Sequence, residues 1–301
     1  PKKDDDNNCK GECFTDAFGK ALLSFADNDN SIYAVTAAMK YGTGLQHFYK
    51  AFPERFFDVG IAEQHAVTFS AGLASQGKLP VFAVYSSFLQ RSYDQLIHDC
   101  AIEKHHIVLG IDRAGFVGED GETHHGLFDV AMLTTVPGVT VYSPSDTAEL
   151  LQCLEQALYK DKGVVAVRYP RGCELYRSGT KAYSDFRHVS NKSRKLIFTY
   201  GRISAYAYTI HGVDVLQAIK IFPIADEIIN ICLAYDEIYA FEEGEREGGI
   251  AQKLCTALAL AGFKGRFTIT AVDGFVRHAD VATQLHNAML DADGMRKITG
   301  E

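Results

Sequence analysis

Short apolar runs alternate along the chain with longer segments of helical periodicity. The runs are rich in β-branched residues and bounded by glycine or polar residues; they lie at 32–35, 56–59, 81–85, 107–111, 139–142 and 164–168. Helical segments of ten or more residues separate most of them, including 15–25, about 90–103 and a segment that starts after the capping sequence at 143–146. This alternation predicts an α/β fold with a parallel sheet covered by helices on both faces.

The same pattern predicts two domains. Residues 1–13 are polar and are expected to form a lead-in, and the first domain covers 14–172. Residues 173–194 carry charges without a regular period, so we expect an interdomain linker. A second, smaller α/β domain covers 195–301, with strands at 195–200, 213–218, 238–242 and 267–271 and helices at 225–234 and 248–260. The predicted fold class is α/β, with two open, parallel-type sheets flanked by helices.

Glu63 is a candidate functional carboxylate because of its position after a predicted strand. Glu63 follows the predicted strand 56–59 and lies in the first turn of a predicted helix, 62–76, that carries almost no charge, so we expect that helix to be buried. Open parallel sheets bind ligands at the carboxyl ends of their strands, where a carboxyl group can exchange a proton with a ligand. From these residues alone, a carboxylate that only stabilises the helix dipole is an equally good explanation.

Composition and charge exclude several classes of protein. The 301 residues, 47% of them hydrophobic, suffice for one large core or two ordinary ones. No apolar run approaches the roughly 18 residues of a membrane span, and a net charge of -8 without a basic stripe argues against nucleic-acid binding. The N-terminal segment lacks an apolar signal sequence, and the seven scattered cysteines favour a reducing compartment. We therefore expect a cytoplasmic protein with neither membrane nor nucleic acid as a partner.

Four strings of residues carry a resemblance to a known family. They are DVGIAEQHAV at 58–67, YSSFLQRSYDQ at 85–95, DRAGFVGEDGETHHG at 112–126 and VRYPRG at 167–172. In order and spacing they resemble the 1-deoxy-D-xylulose-5-phosphate synthase family of the thiamine-diphosphate-dependent transketolase superfamily. The similarity runs from about Phe14 to the C-terminus. It implies a transketolase pyrimidine-binding domain followed by a transketolase C-terminal domain.

The resemblance implies a cofactor site for thiamine diphosphate. Glu63 would be the acid bound to the pyrimidine ring, and Phe88 would stack on that ring. Tyr85 and Arg91 would lie close by, with Tyr85 also at the substrate. For a lone phenylalanine beside a strand, core packing would otherwise be the better explanation. The resemblance also implies Mg²⁺ and a homodimer.

Two arginines are candidates for binding a phosphate group. Arg113 and Arg171 each follow a predicted strand, and two guanidinium groups at neighbouring strand ends can hold a phosphate through paired hydrogen bonds. An isolated arginine would more often form a structural ion pair. The resemblance implies a clamp for the phosphate of D-glyceraldehyde 3-phosphate.

A glycine-rich loop at 115–126 adds two further candidates. Asp120 and His124 match family residues that contact the acceptor sugar, and His124 is a plausible proton donor. The neighbouring His125 stands where the family often has Gln or Asn, so its role stays open. We expect no metal site here, because the glycine spacing leaves no further ligand.

Part of the expected machinery is missing from the sequence. The superfamily holds the cofactor's diphosphate and its metal in a separate domain marked by a Gly-Asp-Gly motif, and no such motif occurs here. We therefore expect the C-terminal half of an enzyme, inactive alone, with the first domain supplied by the same or a partner chain.

The resemblance implies the condensation of pyruvate with D-glyceraldehyde 3-phosphate to 1-deoxy-D-xylulose 5-phosphate, a precursor for isoprenoids, thiamine and pyridoxal. The alternatives are the C-terminal subunit of a split transketolase and a non-catalytic assembly subunit.

The second domain contains a short connection between two strands and a glycine pair at the start of a helix. Only about two or three helical turns fit between the strands at 195–200 and 213–218. A glycine pair at 248–249 opens a helix and could bind an anion, but the glutamates nearby make such a site unfavourable. We assign no functional site to this domain.

Overall fold

A computed structural model describes residues 11–177, 179 and 182–301. Its strands are β1 (Ile32–Thr36), β2 (Phe56–Asp58), β3 (Leu79–Tyr85), β4 (Ile107–Asp112), β5 (Thr140–Tyr142), β6 (Val164–Arg168), β7 (Phe186–Val189), β8 (Lys195–Tyr200), β9 (Asp214–Ala218), β10 (Lys220–Phe222), β11 (Glu237–Glu245) and β12 (Arg266–Val272). Its α-helices are α1 (Phe14–Asn28), α2 (Gln46–Ala51), α3 (Glu63–Ser75), α4 (Ser86–Leu89), α5 (Tyr93–Gln95), α6 (Asp129–Leu133), α7 (Thr147–Tyr159), α8 (Ser204–Ala207), α9 (Asp226–Cys232), α10 (Ile250–Leu260), α11 (Val281–Asn287) and α12 (Ala292–Thr299).

The first sheet has seven strands in the order β10-β5-β6-β4-β3-β1-β2. Its pairings are parallel, except that β10 runs antiparallel to β5 at one edge. Every residue of β4 and of β6 is buried, as expected for central strands covered on both faces. The predicted parallel sheet between helices is therefore confirmed.

The second sheet has five strands in the order β12-β11-β8-β9-β7. It is parallel except for β7, which pairs antiparallel with β9. Strand β7 lies within the segment 173–194, and β10 leaves the second unit to join the first sheet. These short edge strands were not predicted, because their pairing depends on the neighbouring strand more than on their own residues.

The two sheets share apolar packing. One cluster of buried side chains contains Val84 and Ile111 from the first sheet together with Leu196 and Ala240 from the second. Its continuity means that the second unit packs against the first through buried apolar side chains. Among the described residues, no helix is both long and apolar enough to cross a membrane.

Two helical predictions need correction. We expected 62–76 to be a buried helix, but in α3 only one face, including Ala66 and Val67, is buried, while His65 and Thr68 are exposed. Low charge had indicated burial, whereas the exposed face consists of uncharged polar and small residues. The segment predicted as a helix from about 90 begins four residues earlier, at the start of α4, and passes through a 3-10 turn and a π-helical turn at Leu96–Ala101.

The short connection after β8 is as the sequence predicts. It holds a 3-10 turn at Gly201–Ile203 and the four-residue α8, after which β9 begins. The N-terminus of α7 also follows the prediction, since the side chain of Asp146 accepts a hydrogen bond from Glu149 N at 2.8 Å.

The packing of α1 generates a stability prediction with a matched control. A Cβ at Gly19 would lie 2.1 Å from the carbonyl oxygen of Gly44, so Gly19→Ala should destabilise the protein by about 1–3 kcal/mol through overpacking. Gly72 on α3 has nothing within 4 Å of such a Cβ, and Gly72→Ala should stabilise it by about 0.5–1 kcal/mol. Chemical denaturation of both variants tests this; shifts of the same sign would contradict it.

Candidate active site

The candidate residues follow neighbouring strand ends on one edge of the first sheet. The parallel register places Tyr85 of β3 beside Asp112 of β4, and Ile111 of β4 beside Arg168 of β6. The segments after β2, β3, β4 and β6 therefore leave the sheet at the same edge. They carry the predicted site residues Glu63, Phe88, Arg91, Arg113, Asp120, His124 and Arg171.

Glu63 is the first residue of α3, and its side chain is only 2% exposed. A buried carboxylate needs a partner to offset its lost hydration, and Arg91 supplies one. The Nη1 of Arg91 lies 3.1 Å from one carboxylate oxygen of Glu63 and 3.4 Å from the other. Since the arginine side chain is 51% exposed, it approaches the buried acid from the open side of the site.

Three rings continue the site from this ion pair. The ring of Phe88 stacks on Tyr85 with centroids 5.7 Å apart and meets the edge of His124 at 5.2 Å. The guanidinium carbon of Arg91 lies 5.7 Å from the Phe88 centroid, so one arginine contacts both the ring and Glu63. Because Phe88 is only partly buried, its ring is available to a ligand as well as to the core.

Arg113 lies at the centre of the polar half of the site. Its Nη1 donates to the carbonyl oxygen of Gly42 at 2.9 Å and to Asp112 at 3.2 Å. Its guanidinium carbon lies 3.7 Å from the centroid of the Tyr85 ring. A Cβ at Gly42 would lie 1.6 Å from the Tyr85 hydroxyl, so only glycine lets these groups meet. Sequence reasoning missed Gly42, although the glycines at 42 and 44 after a strand were a signal.

Asp120 joins the two arginines. One carboxylate oxygen accepts from Arg113 Nε at 3.2 Å, and the other lies 3.1 Å from Arg171 Nη1. Among the described residues, the Nη2 groups of both arginines make no hydrogen bond. Beside them lies a cavity of about 150 Å³, several times the roughly 30 Å³ share of one water molecule. The two arginines thus belong to an internal ion-pair network and also line a cavity.

His125 in the loop 115–126 and Arg168 at the end of β6 are both held by contacts within the protein. His125 is buried against Phe116, accepts a hydrogen bond from Val117 N at 3.2 Å, and has its pKa lowered by burial. Arg168 forms a buried bidentate ion pair with Asp129. Among the described residues there is no cluster of three His, Cys, Asp or Glu side chains able to hold a metal ion.

Comparison with known proteins gives the family. The family model "Transketolase, pyrimidine binding domain" matches residues 13–174, more than half of the chain. The chain belongs to the transketolase pyrimidine-binding domain family. This confirms the relationship that the four sequence strings predict.

The curated relatives are more specific in their names. The 1-deoxy-D-xylulose-5-phosphate synthase of Chlorobaculum tepidum is 43% identical over 302 residues, a match that covers 94% of this chain and 47% of the relative. That of Chlorobium luteolum is 40% identical over 306 residues, covering 96% and 48%. The chain thus spans about half the length of the curated relatives it matches.

Solved structures show the same fold at lower identity. A chain described as a split gene transketolase, inactive beta4 tetramer, has a TM-score of 0.81 and 23% identity, with 94% of this chain and 96% of that chain covered. The transketolase of Campylobacter jejuni has a TM-score of 0.76 and 15% identity over 99% of this chain and 49% of that chain. Both confirm the predicted α/β fold, with its two open sheets flanked by helices.

The polar half of the site generates a pH prediction. Burial raises the pKa of Asp112 to about 6, against the opposing effects of Arg113 and a 2.7 Å hydrogen bond from Thr15. The folded protein therefore holds this proton more tightly than the unfolded chain does. The resulting stabilisation is full below about pH 4 and is lost as the pH rises through about 6; it amounts to about 3 kcal/mol.

Unfolding measured by denaturant between pH 4 and 7 tests this effect. Relative to Asp112→Asn, the wild type should lose stability as the pH rises to about 6 and then run parallel to the variant. Thr15→Val removes a hydrogen bond that lowers the pKa of Asp112. In this variant the loss of stability should therefore occur at a higher pH. Parallel curves for the wild type and Asp112→Asn throughout would contradict the account.

Proposed function

We propose that this chain supplies the pyrimidine-binding domain, over 14–172, and the C-terminal domain, over 195–301, of a thiamine-diphosphate-dependent synthase. The reaction is the decarboxylative condensation of pyruvate with D-glyceraldehyde 3-phosphate, which yields 1-deoxy-D-xylulose 5-phosphate and carbon dioxide. The curated relatives bear the name of that synthase. The observation that carries the proposal is that a buried acid and a two-arginine pocket share one sheet edge.

The residues present fit the pyrimidine end of thiamine diphosphate. Such a ring needs an acid for a ring nitrogen and an apolar face to stack on. Glu63 and Phe88, both in contact with Arg91, offer these two groups. The buried hydroxyls of Ser86 and Ser87 have no hydrogen-bond partner among the described residues, which suits a polar ligand at this point. When bound, the cofactor supplies the carbanion chemistry at its thiazolium carbon.

Each side chain then has a definite task. With the cofactor bound, Glu63 would share a proton with a nitrogen of the pyrimidine ring, and Arg91, which pairs with Glu63 in this structure, would hold the carboxyl group in place. Phe88 orients the ring. The imidazole of His124, held against Phe88, moves a proton to the carbonyl oxygen of the acceptor.

The acceptor is bound by the polar half of the site. Arg113 and Arg171 hold its phosphate through their spare Nη2 groups, and Asp120 accepts a hydrogen bond from a sugar hydroxyl. Tyr85 closes the pocket beside Arg113. Because burial raises the pKa of the Tyr85 hydroxyl, it acts here as a neutral hydrogen-bond donor.

The rest of the assembly is also part of the proposal. The diphosphate group and its Mg²⁺ would be bound by the portion of the relatives that this chain does not span, on the same polypeptide or on a partner. A homodimer is supported by the uncharged exposed face of α3 and by the exposed Ile61 beside it. Location in the cytoplasm stays a prediction.

Two alternatives have some support. One similar solved chain, of which this chain covers 96%, is a split gene transketolase described as an inactive beta4 tetramer. A C-terminal transketolase subunit, or an assembly subunit without a reaction of its own, would have this fold. Substrate use by the complete enzyme separates the three.

The decisive assay uses the native polypeptide or complex that contains this chain. We expect pyruvate decarboxylation that depends on D-glyceraldehyde 3-phosphate and forms 1-deoxy-D-xylulose 5-phosphate. Use of xylulose 5-phosphate as donor without pyruvate would favour the transketolase, and no turnover of either donor would favour the assembly subunit.

The same assay tests the role of the buried acid. Glu63→Gln removes the shared proton and should lower kcat by about 100-fold or more, while Glu54→Gln, a change at an exposed carboxylate nearby, should leave kcat unchanged. Equal activity of the two variants would exclude Glu63 from the chemistry.

A further inference from the structure

A buried ion pair extends from the second unit to the acceptor pocket. Arg202 lies in the 3-10 turn after β8, and Glu243 lies in β11. Their side chains are 6% and 7% exposed, and Arg202 Nε lies 2.9 Å from Glu243 Oε2, with a second contact between Nη2 and Oε1. The chemistry proposed above uses neither residue.

The pair holds backbone groups of the first unit. Glu243 Oε1 accepts a hydrogen bond from Phe116 N at 2.7 Å, and Arg202 Nη2 donates to Phe116 O at 2.8 Å. Arg202 Nη1 donates to the carbonyl oxygen of Arg171 at 3.4 Å. One ion pair is thus bound both to the loop that carries Asp120 and His124 and to the arginine of the phosphate pocket.

The contact lies at the neck of that loop. Gly115 and Gly126 exchange two backbone hydrogen bonds of 2.8 Å, which close the neck. A Cβ at Gly115 would lie 2.4 Å from Glu243 Oε1, and the residue has a φ of +80°. Glycine is therefore required for the carboxylate to approach Phe116, which explains the first glycine of the loop.

Stability alone is a poor explanation for this arrangement. Burying two charges costs hydration energy, and apolar replacements of a buried ion pair are often neutral or stabilising. What an apolar pair cannot do is to hold two backbone segments at a fixed separation through directed hydrogen bonds.

We infer that Arg202 and Glu243 are positioning residues that set the spacing between Arg171 and Asp120, and thereby the affinity for an aldose phosphate as acceptor. The inference rests on the proposed function, because the acceptor is part of it. It also assigns to the second unit a task in substrate binding.

The neighbouring Glu242 provides a matched control. Successive residues of a strand point to opposite sides, and Glu242 turns into the second unit, where it accepts from Ile250 N at 2.8 Å and Ala251 N at 2.9 Å at the start of α10. This internal carboxylate occupies the helix N-terminus that the sequence marked as unfavourable for an external anion. Within the described part of the chain, Glu242 makes no hydrogen bond to the loop or to Arg171.

The experiment compares Glu243→Gln, Arg202→Lys and Glu242→Gln in the complete enzyme. We expect both changes to the pair to raise the KM for D-glyceraldehyde 3-phosphate at least tenfold and to change the KM for pyruvate less than twofold. Glu242→Gln should lower the melting temperature without altering the ratio of the two KM values. If all three variants lower activity in parallel, or if the KM for the aldose phosphate stays constant, the inference is wrong.

Hydrogen exchange without substrates separates this inference from the proposed function. Changes to the pair should speed amide exchange in 116–126, whereas Glu242→Gln should speed it in α10 instead. Faster amide exchange in the loop of an enzyme that turns over other substrates would support the positioning role. It would overturn only the assignment of an aldose phosphate as the acceptor. Unchanged loop exchange in both variants would overturn the positioning role whatever the reaction.

Discussion

The site depends on the parallel register between β3 and β4. That register places Tyr85 beside Asp112, the last residue of β4. Arg113 follows directly, and its guanidinium group therefore packs on the Tyr85 ring. The segment after β3 carries Phe88 and Arg91, and Arg91 reaches Glu63 at the head of α3. A slip of one residue would turn every side chain of a strand to its other face. The acid and the arginine pocket would then lie apart.

Charge balance is the second constraint on this edge. Asp112 and Arg113 are almost fully buried, and Asp120 and Arg171 are partly so. Two carboxylates and two guanidinium groups make a neutral set, which a buried site can sustain because each charge has a partner. Asp120 also holds the two arginines together, so under the proposed function an incoming phosphate would meet donors that are already oriented.

Much of the fold follows from the sequence because strand pattern and helix caps are local. The bounds 164–168 and 195–200 coincide with β6 and β8, and Glu63, predicted in the first turn of its helix, is the first residue of α3. The edge strands β7 and β10 and the exposed face of α3 were missed, since partners elsewhere decide them. That the site residues would meet at one edge could be predicted, because they follow parallel strands whose carboxyl ends lie together. The Asp120 bridge and the Arg202–Glu243 pair depend on loop conformation and on residues distant in sequence, which no local pattern records.

The central claim is that the two arginines at this edge hold the phosphate of the acceptor for chemistry begun at Glu63. The most direct test is the ratio of kcat/KM for D-glyceraldehyde 3-phosphate to that for D-glyceraldehyde, measured on the complete enzyme with Arg113 and Arg171 intact or each replaced by lysine. The account predicts that each replacement lowers this preference at least about tenfold, since a charge-assisted hydrogen bond to the phosphate is lost. A preference that survives both replacements would contradict it.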